Sequence, residues 1–225
     1  MKGVASQRIR RTSMLLASLA SGLALGEGYR SGPGLPLYAV SDPALDLAHE
    51  VTLEAWVRAE PMDAGGGRIL DKSVPGTQLG YMLDTHPGNS LRLLNSAGMC
   101  RYRAQLASDR WTHVVGVYSS PRRLMALYVD GREVARTEPR EFPLMSRSEV
   151  PLHVGGDPSG GHRFRGVILR AAVYERALEP EEIAARARSH RTPAPPGVLG
   201  DWLFPDDSPP TIAPVAGRLV LRRIG

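Results

Sequence analysis

The sequence predicts an all-β fold, a sandwich or barrel of short antiparallel strands with one short helix toward the C-terminus. Three observations carry this expectation. Turn chemistry recurs along the chain, at Pro33-Gly34, 63–67, Pro75-Gly76, Pro87-Gly88, Asp130-Gly131 and 155–161. Between these breaks lie short runs of strand composition, a spacing that suits a sandwich better than alternating strands and helices. Asp130-Gly131 also separates two strand-like half-runs, the strongest short-range hairpin signal, because a type I′ turn needs positive φ at both central residues.

Taken in order, the expected strands are VTLEAWV (51–57), GYMLDT (80–85) and SLRLLNS (90–96). In THVVGVYS (112–119), alternation puts Trp111, His113, Val115 and Val117 on one face and Thr112, Val114, Gly116 and Tyr118 on the other. Both faces are mostly apolar, so this is expected to be a central strand buried on each side. LMALYVDGREVA (124–135) should form a hairpin beside it. PLHVGG (151–156) and RGVILRAAVYE (165–175) follow. In LEPEEIAARARSH, Pro180 suits the first helical position, Glu181 and Glu182 favour the positive end of the dipole, and arginines lie toward the other end. The helix is expected over about Pro180 to Arg188. TPAPPG (192–197) reads as a linker, VLGDWLF (198–204) as another strand, and GRLVLRRIG closes the chain.

The domain reading is a single β unit over 28–190, followed by a Pro-rich linker and terminal strands over 191–225. Those strands either complete the same sheet or begin a further module. The first 27 residues combine Arg8, Arg10 and Arg11 with a mildly apolar stretch from Met14 to Leu25 and small residues after it. They read as a secretory signal of twin-arginine character or as an N-terminal helix of the folded chain. The apolar stretch is too short and too rich in Ser and Ala to span a membrane.

The formal net charge is +5, yet the only lysines are Lys2 and Lys72, and the arginines are scattered with little aromatic interleaving. This pattern argues against nucleic acid as the partner. Cys100 is the only cysteine, so the chain has no internal disulfide and no cysteine-based zinc site, and Cys100 reads as a small buried hydrophobe.

LEAWV (53–57), WTHVV (111–115), LYVDG (127–131), VGGD (154–157), GVILRAAVYERAL (166–178) and EPEEIAARA (179–187) appear in this order, preceded by SDPALDL (41–47). Together they resemble the LamG-like jelly rolls of the concanavalin A-like lectin/glucanase group, over about residues 36 to 188. The resemblance implies a two-sheet antiparallel jelly-roll sandwich, usually extracellular and often one module of a larger protein. It implies framework roles for Trp56, Trp111 and His113, with the tryptophans filling the sandwich core and His113 hydrogen-bonded within it. One departure stands out: where the family has I-D-E-V, this chain has Ile168-Leu169-Arg170-Ala171. Related jelly rolls often use that Asp to hold a structural calcium, so the resemblance leaves calcium doubtful and assigns no metal ligand here.

The related glucanases share an E-x-D-x-x-E strand motif that this chain lacks, and its densest acidic cluster, Glu179 to Glu182, opens a helix. No metalloprotease, nucleophile-elbow or phosphate-loop motif occurs, so no catalytic residue is assigned. The stretch 69–94 is richest in polar groups beside aromatics, and Asp71, Lys72, Tyr81, Asp84, His86, Asn89 and Arg92 are the candidate ligand-binding residues. The competing reading makes Asp84 and Asn89 turn stabilisers and Asp71-Lys72 a solvated strand end, with Asp157 a hairpin cap. The functional expectation is a non-catalytic, secreted or surface carbohydrate-binding module accessory to a larger protein such as a glycoside hydrolase. The alternatives are a protein-interaction or structural domain and, third, a divergent glycosidase.

Overall fold

The computed structural model describes residues 28–62, 64–77, 79–138, 144–207 and 209–224. The proposed leader, residues 1–27, lies outside them. The elements run β1 (Tyr29–Ser31), β2 (Leu37–Val40), a 3₁₀ turn (Pro43–Leu45), β3 (Glu50–Ala59), β4 (Gly67–Asp71), β5 (Tyr81–Thr85), β6 (Ser90–Asn95), β7 (Gly98–Gln105) and β8 (Thr112–Ser119). They continue with β9 (Leu124–Val129), β10 (Arg132–Thr137), β11 (Leu152–Val154), β12 (Gly166–Tyr174), α1 (Pro180–Arg186), β13 (Val198–Leu203), β14 (Thr211–Ile212), β15 (Ala216–Gly217) and β16 (Leu221–Ile224).

Two antiparallel sheets result, as a jelly-roll sandwich requires. The first runs β10-β9-β8-β3-β12-β13-β15, with β1 also paired to β12; the second runs β14-β16-β2-β11-β4-β5-β6-β7. The Asp-Gly hairpin forms as its chemistry demands, with Asp130 at φ 49° and Gly131 at φ 76°, and Arg132 facing Val129 across a two-residue turn. Asp130 then caps the neighbouring strand: its carboxylate accepts the His113 N–H at 3.0 Å. Residues 198–224 add strands to both sheets, β13 beside β12 and β16 beside β2.

Alternation decides what lies between the sheets. On β3, Val51, Leu53, Ala55 and Val57 enter the main core, which they share with Leu83, Leu91, Leu93 and Cys100 of the second sheet. Gly116 of β8 marks where the layers touch, since a Cβ there would lie 3.0 Å from Leu93 Cδ1 and 3.1 Å from Leu83 Cδ1. The other face of the first sheet is also covered. Val115, Val117, Ala126, Tyr128, Ala172 and Tyr174 pack against Leu178 and Ile183, which explains why every residue of β8 is buried.

Helix α1 has seven residues, too short to hold itself together in water. It has Pro180 in its first turn and a capping box in which the Glu179 N–H donates to the Glu182 carboxylate at 2.9 Å. Arg186, near its C-terminal end, does not remain in solvent near the dipole. It turns inward and donates Nε to Glu54 Oε1 at 2.9 Å, where Tyr174 O–H (2.8 Å) and His113 Nε2 (2.9 Å) also meet that carboxylate. Burial alone would raise the Glu54 pKa, but the His113 hydrogen bond and the Arg186 charge outweigh it and lower it to about 2.

His113 therefore has the hydrogen-bonded framework place that the resemblance implied, but the two tryptophans do not. Trp56 and Trp111 share the parity of His113 and so lie half-buried on the helix side of the first sheet, outside the inter-sheet core. The Trp56 ring centroid is 5.2 Å from that of His113, and the Arg58 guanidinium stands 5.0 Å from the Trp111 ring centre. The inter-sheet core is instead filled by Trp202, whose Nε1 donates to the Leu219 carbonyl at 2.6 Å.

Candidate functional site

On the second sheet, cross-strand register aligns Arg68 of β4 with Asp84 of β5, Asp84 with Arg92 of β6, and Arg92 with Arg101 of β7. Their neighbours Leu83, Leu91, Leu93 and Cys100 face the core, so this charged row lies on the opposite face. A register shift between Arg68 and Leu70 sends both Ile69 and Leu70 inward and returns Asp71 to the side of Arg68.

Asp84 is fully buried and is the counter-ion of two guanidiniums. Arg92 donates Nε to Oδ1 at 2.9 Å and Nη2 to Oδ2 at 2.6 Å, a bidentate pair, and Arg68 donates Nη1 to Oδ2 from the other flank. Arg68 Nε also lies 3.3 Å from Asp71 Oδ2. Above this row opens a cleft of about 280 Å³ lined by Gly65, Gly66, Arg68, Asp84, His86, Arg92 and His162.

His162 arrives from the 155–165 loop, which is tied to the sheet. Arg68 N–H donates to the His162 carbonyl at 2.8 Å, and Asp157 accepts from Ser159 Oγ (2.7 Å), the Gly161 N–H (2.8 Å) and His162 Nδ1 (2.6 Å). Burial would raise the Asp157 pKa, but these three donors, His162 foremost, lower it overall. Gly67 permits the close approach: a Cβ there would lie 2.5 Å from Phe164 Cα. His86 is held below the usual imidazole range, by loss of solvent first and by the positive charge of Arg92 next.

Of the residues singled out in the sequence, Asp84, His86 and Arg92 share this cleft, and Asp71 lies beside it through Arg68. The other three serve elsewhere. Lys72 is buried, donating Nζ to the carbonyls of Ser148 and Val150 (3.1 Å), with Asp46 Oδ1 at 3.0 Å. Tyr81 reaches through the core to donate to the Leu45 carbonyl at 2.9 Å, and Asn89 donates Nδ2 to the Glu60 carbonyl at 2.8 Å. The solvated-end alternative for Asp71-Lys72 does not hold, because Asp71 is 1% and Lys72 4% exposed. Asp71 instead accepts the Ser73 N–H at 2.7 Å. Sequence reading missed Arg68, His162 and the glycines. Alternation could not have found Arg68, because β4 breaks it between Arg68 and Leu70.

The Leu169-Arg170 departure is now interpretable. Leu169 is buried, and Arg170 donates Nε to Asp201 Oδ1 at 2.6 Å and Nη1 to the Thr192 carbonyl at 3.1 Å. A guanidinium that consumes oxygen donors at this position does not fit a calcium ion, which needs those oxygens for itself. Among the described residues no group of three or more His, Cys, Asp or Glu side chains is placed to hold a metal. No helix among them is long and apolar enough to cross a membrane.

A two-sheet jelly roll whose polar cleft opens on the outer face of one sheet is a lectin-like sandwich. The chain belongs to the concanavalin A-like lectin/glucanases superfamily, whose profile matches residues 37–184. Comparison with curated proteins finds no match. Among solved structures it is similar to a protein of Bacteroides ovatus described as a candidate carbohydrate-binding protein, with TM-score 0.65, 18% identity, and coverage of 84% of this chain and 56% of that one. The chain thus spans little more than half of that protein. It is also similar to a heptameric SAP-like pentraxin of Limulus polyphemus (TM-score 0.53, 16% identity, 87% and 91% coverage). A third is botulinum neurotoxin type C, whose cell entry depends on two ganglioside molecules (TM-score 0.54, 14% identity, 78% and 44% coverage). At these identities the likeness concerns the fold.

Proposed function

We propose that the chain is a non-catalytic carbohydrate-binding module of a secreted or cell-surface protein, accessory to a larger assembly such as a glycoside hydrolase. One observation carries the reading: a cleft of sugar-ring size, lined by fixed guanidinium, imidazole and backbone groups on a rigid sheet, within a lectin-like fold. The described residues between 28 and 224 act as one unit, with strands from both ends of the chain interleaved in both sheets.

The same geometry speaks against hydrolysis in the cleft. Glycoside cleavage needs two carboxyl groups facing the bond, one able to give up a proton. Among the described residues the cleft offers only Asp84, which is held between two arginines.

A protein-binding reading has its own observation: Val215, Val220 and Ile224 are exposed apolar side chains on the C-terminal segment. The deciding experiment is a glycan-array screen of the folded chain, with calcium and with a chelator. Selective binding that survives chelation and is weakened by His86→Ala supports the module and its site. A folded protein that binds no glycan would move the assignment to the protein-binding reading.

A further inference from the structure

We propose that the cleft selects anionic glycans, those carrying a carboxylate or a sulfate, an inference that rests on the carbohydrate reading of the same site. The reason lies in which hydrogen-bonding capacity is left over. A neutral sugar hydroxyl is both donor and acceptor, so sites for neutral sugars need free acceptors as well as donors.

Here the carboxylates within reach are already engaged. Asp84 takes Arg92 on both oxygens and Arg68 on one. Asp71 Oδ1 accepts from the Ser73 N–H and hydroxyl, and its Oδ2 faces Arg68. Asp157 Oδ1 accepts from Ser159 and Gly161, and Oδ2 from His162.

The donors, in contrast, are in surplus. Arg92 spends Nε and Nη2 on Asp84, which leaves its Nη1 hydrogens uncommitted among the described residues. Arg101 Nε is buried without a hydrogen-bond partner there, and Arg68 Nε has only the ion-pair contact with Asp71 at 3.3 Å. Arg101 extends the row onto β7, and its charge is felt at His86, as are those of Arg92 and Arg68.

Among the charged side chains that line the cleft, the two guanidiniums of Arg68 and Arg92 outnumber the one carboxylate of Asp84. A carboxylate or a sulfate can accept from several guanidinium hydrogens at once with charge assistance, whereas a hydroxyl accepts fewer and finds no unengaged carboxylate to donate to. An anion that accepts from the uncommitted Arg92 Nη1 gains a charge-assisted hydrogen bond that a neutral acceptor would make more weakly.

The test uses the full chain and matched probes: oligogalacturonate against its methyl-esterified form, and chondroitin sulfate against its desulfated form, by calorimetry at low and high salt. The expected result is binding to the charged member of one pair at least about 10-fold tighter than to its neutral counterpart, weakening as salt rises because exposed charges are screened. Which pair binds separates a carboxylate-reading site from a sulfate-reading one. Arg92→Gln should lower affinity at least 10-fold. Arg101→Gln, which removes no ion pair of the described fold, should lower it several-fold with the melting temperature unchanged. Equal or tighter binding of the neutral probes would overturn the anion inference and leave the carbohydrate reading standing. Failure to bind any glycan would overturn both. Anion binding that ignores both arginine variants would overturn the placement in this cleft.

Discussion

Arg186 and Glu54 form an ion pair, each with its side chain 2% exposed, and through it the short helix α1 is joined to the central strand β3. The pair lies in a larger network, since Arg186 Nη2 is 3.4 Å from Asp201 and Asp201 in turn pairs with Arg170. Arg186→Leu leaves Glu54 buried against only neutral donors and His113. Removing one partner of a buried pair costs about 3–5 kcal/mol, because the other charge is left uncompensated. Urea unfolding should show this loss, and Glu54→Gln combined with Arg186→Leu should recover part of it. A loss below about 1 kcal/mol would mean that the helix docks through Ile183 and Leu178 alone.

The Glu54 pKa also sets an acid limit. A carboxyl lowered from 4.5 to about 2 in the fold stabilises it fully above the unfolded value, and this contribution fades as pH falls from 4.5 toward 2. The shift corresponds to roughly 3 kcal/mol. Asp157, also lowered, adds in the same direction, while Asp71, raised by burial, works against it. Melting temperatures taken across that range should fall for the parent chain and fall less steeply for Glu54→Gln. Parallel slopes for the two proteins would refute the assignment.

Lys72 should be a structural residue and not a ligand contact. Lys72→Met removes the ammonium that ties the Ser148 and Val150 carbonyls and Asp46 together, leaving buried acceptors unmet at a cost of about 2–3 kcal/mol. Stability should fall and amide exchange should rise across 146–150, with glycan affinity altered less than about 3-fold. A large affinity loss with little change in stability would return Lys72 to the binding site.

Gly67→Ala should loosen the wall of the cleft. The new Cβ meets backbone, Phe164 Cα at 2.5 Å and the Arg163 carbonyl at 2.6 Å, so β4 or the 155–165 loop must shift. Overpacking of this kind costs about 1–3 kcal/mol. Because the loop carries His162, ligand affinity should drop as well, while Gly76→Ala, at a turn tip where a Cβ would meet nothing within 4 Å, should leave affinity unchanged. If Gly67→Ala bound glycans as tightly as the parent, His162 would have no part in the site.

Much of this protein is determined by local sequence. The period of two in VTLEAWV and THVVGVYS, the Asp-Gly pair and the Pro180 helix start each specify an element from within a few residues, and all are found where expected. Physical economy explains this, since turn dihedrals and strand alternation are local properties that the core then selects among. The face each residue takes was less legible: Trp56 and Trp111 could be placed only after it was known that Val57 and its parity partners fill the core. The cleft lay further still from local reading. Asp84 and Arg92 are close in sequence and share a face by hairpin register, which is why both were found. Arg68 joins them through the pairing of β4 on β5, Asp71 through the register shift that follows, and His162 through a loop folded back across the sheet. The sequence by itself determined the strands, turns and fold family. Only the tertiary structure decided which charges neutralise one another and which donors remain, because ion pairing depends on distances between strands that no local pattern encodes.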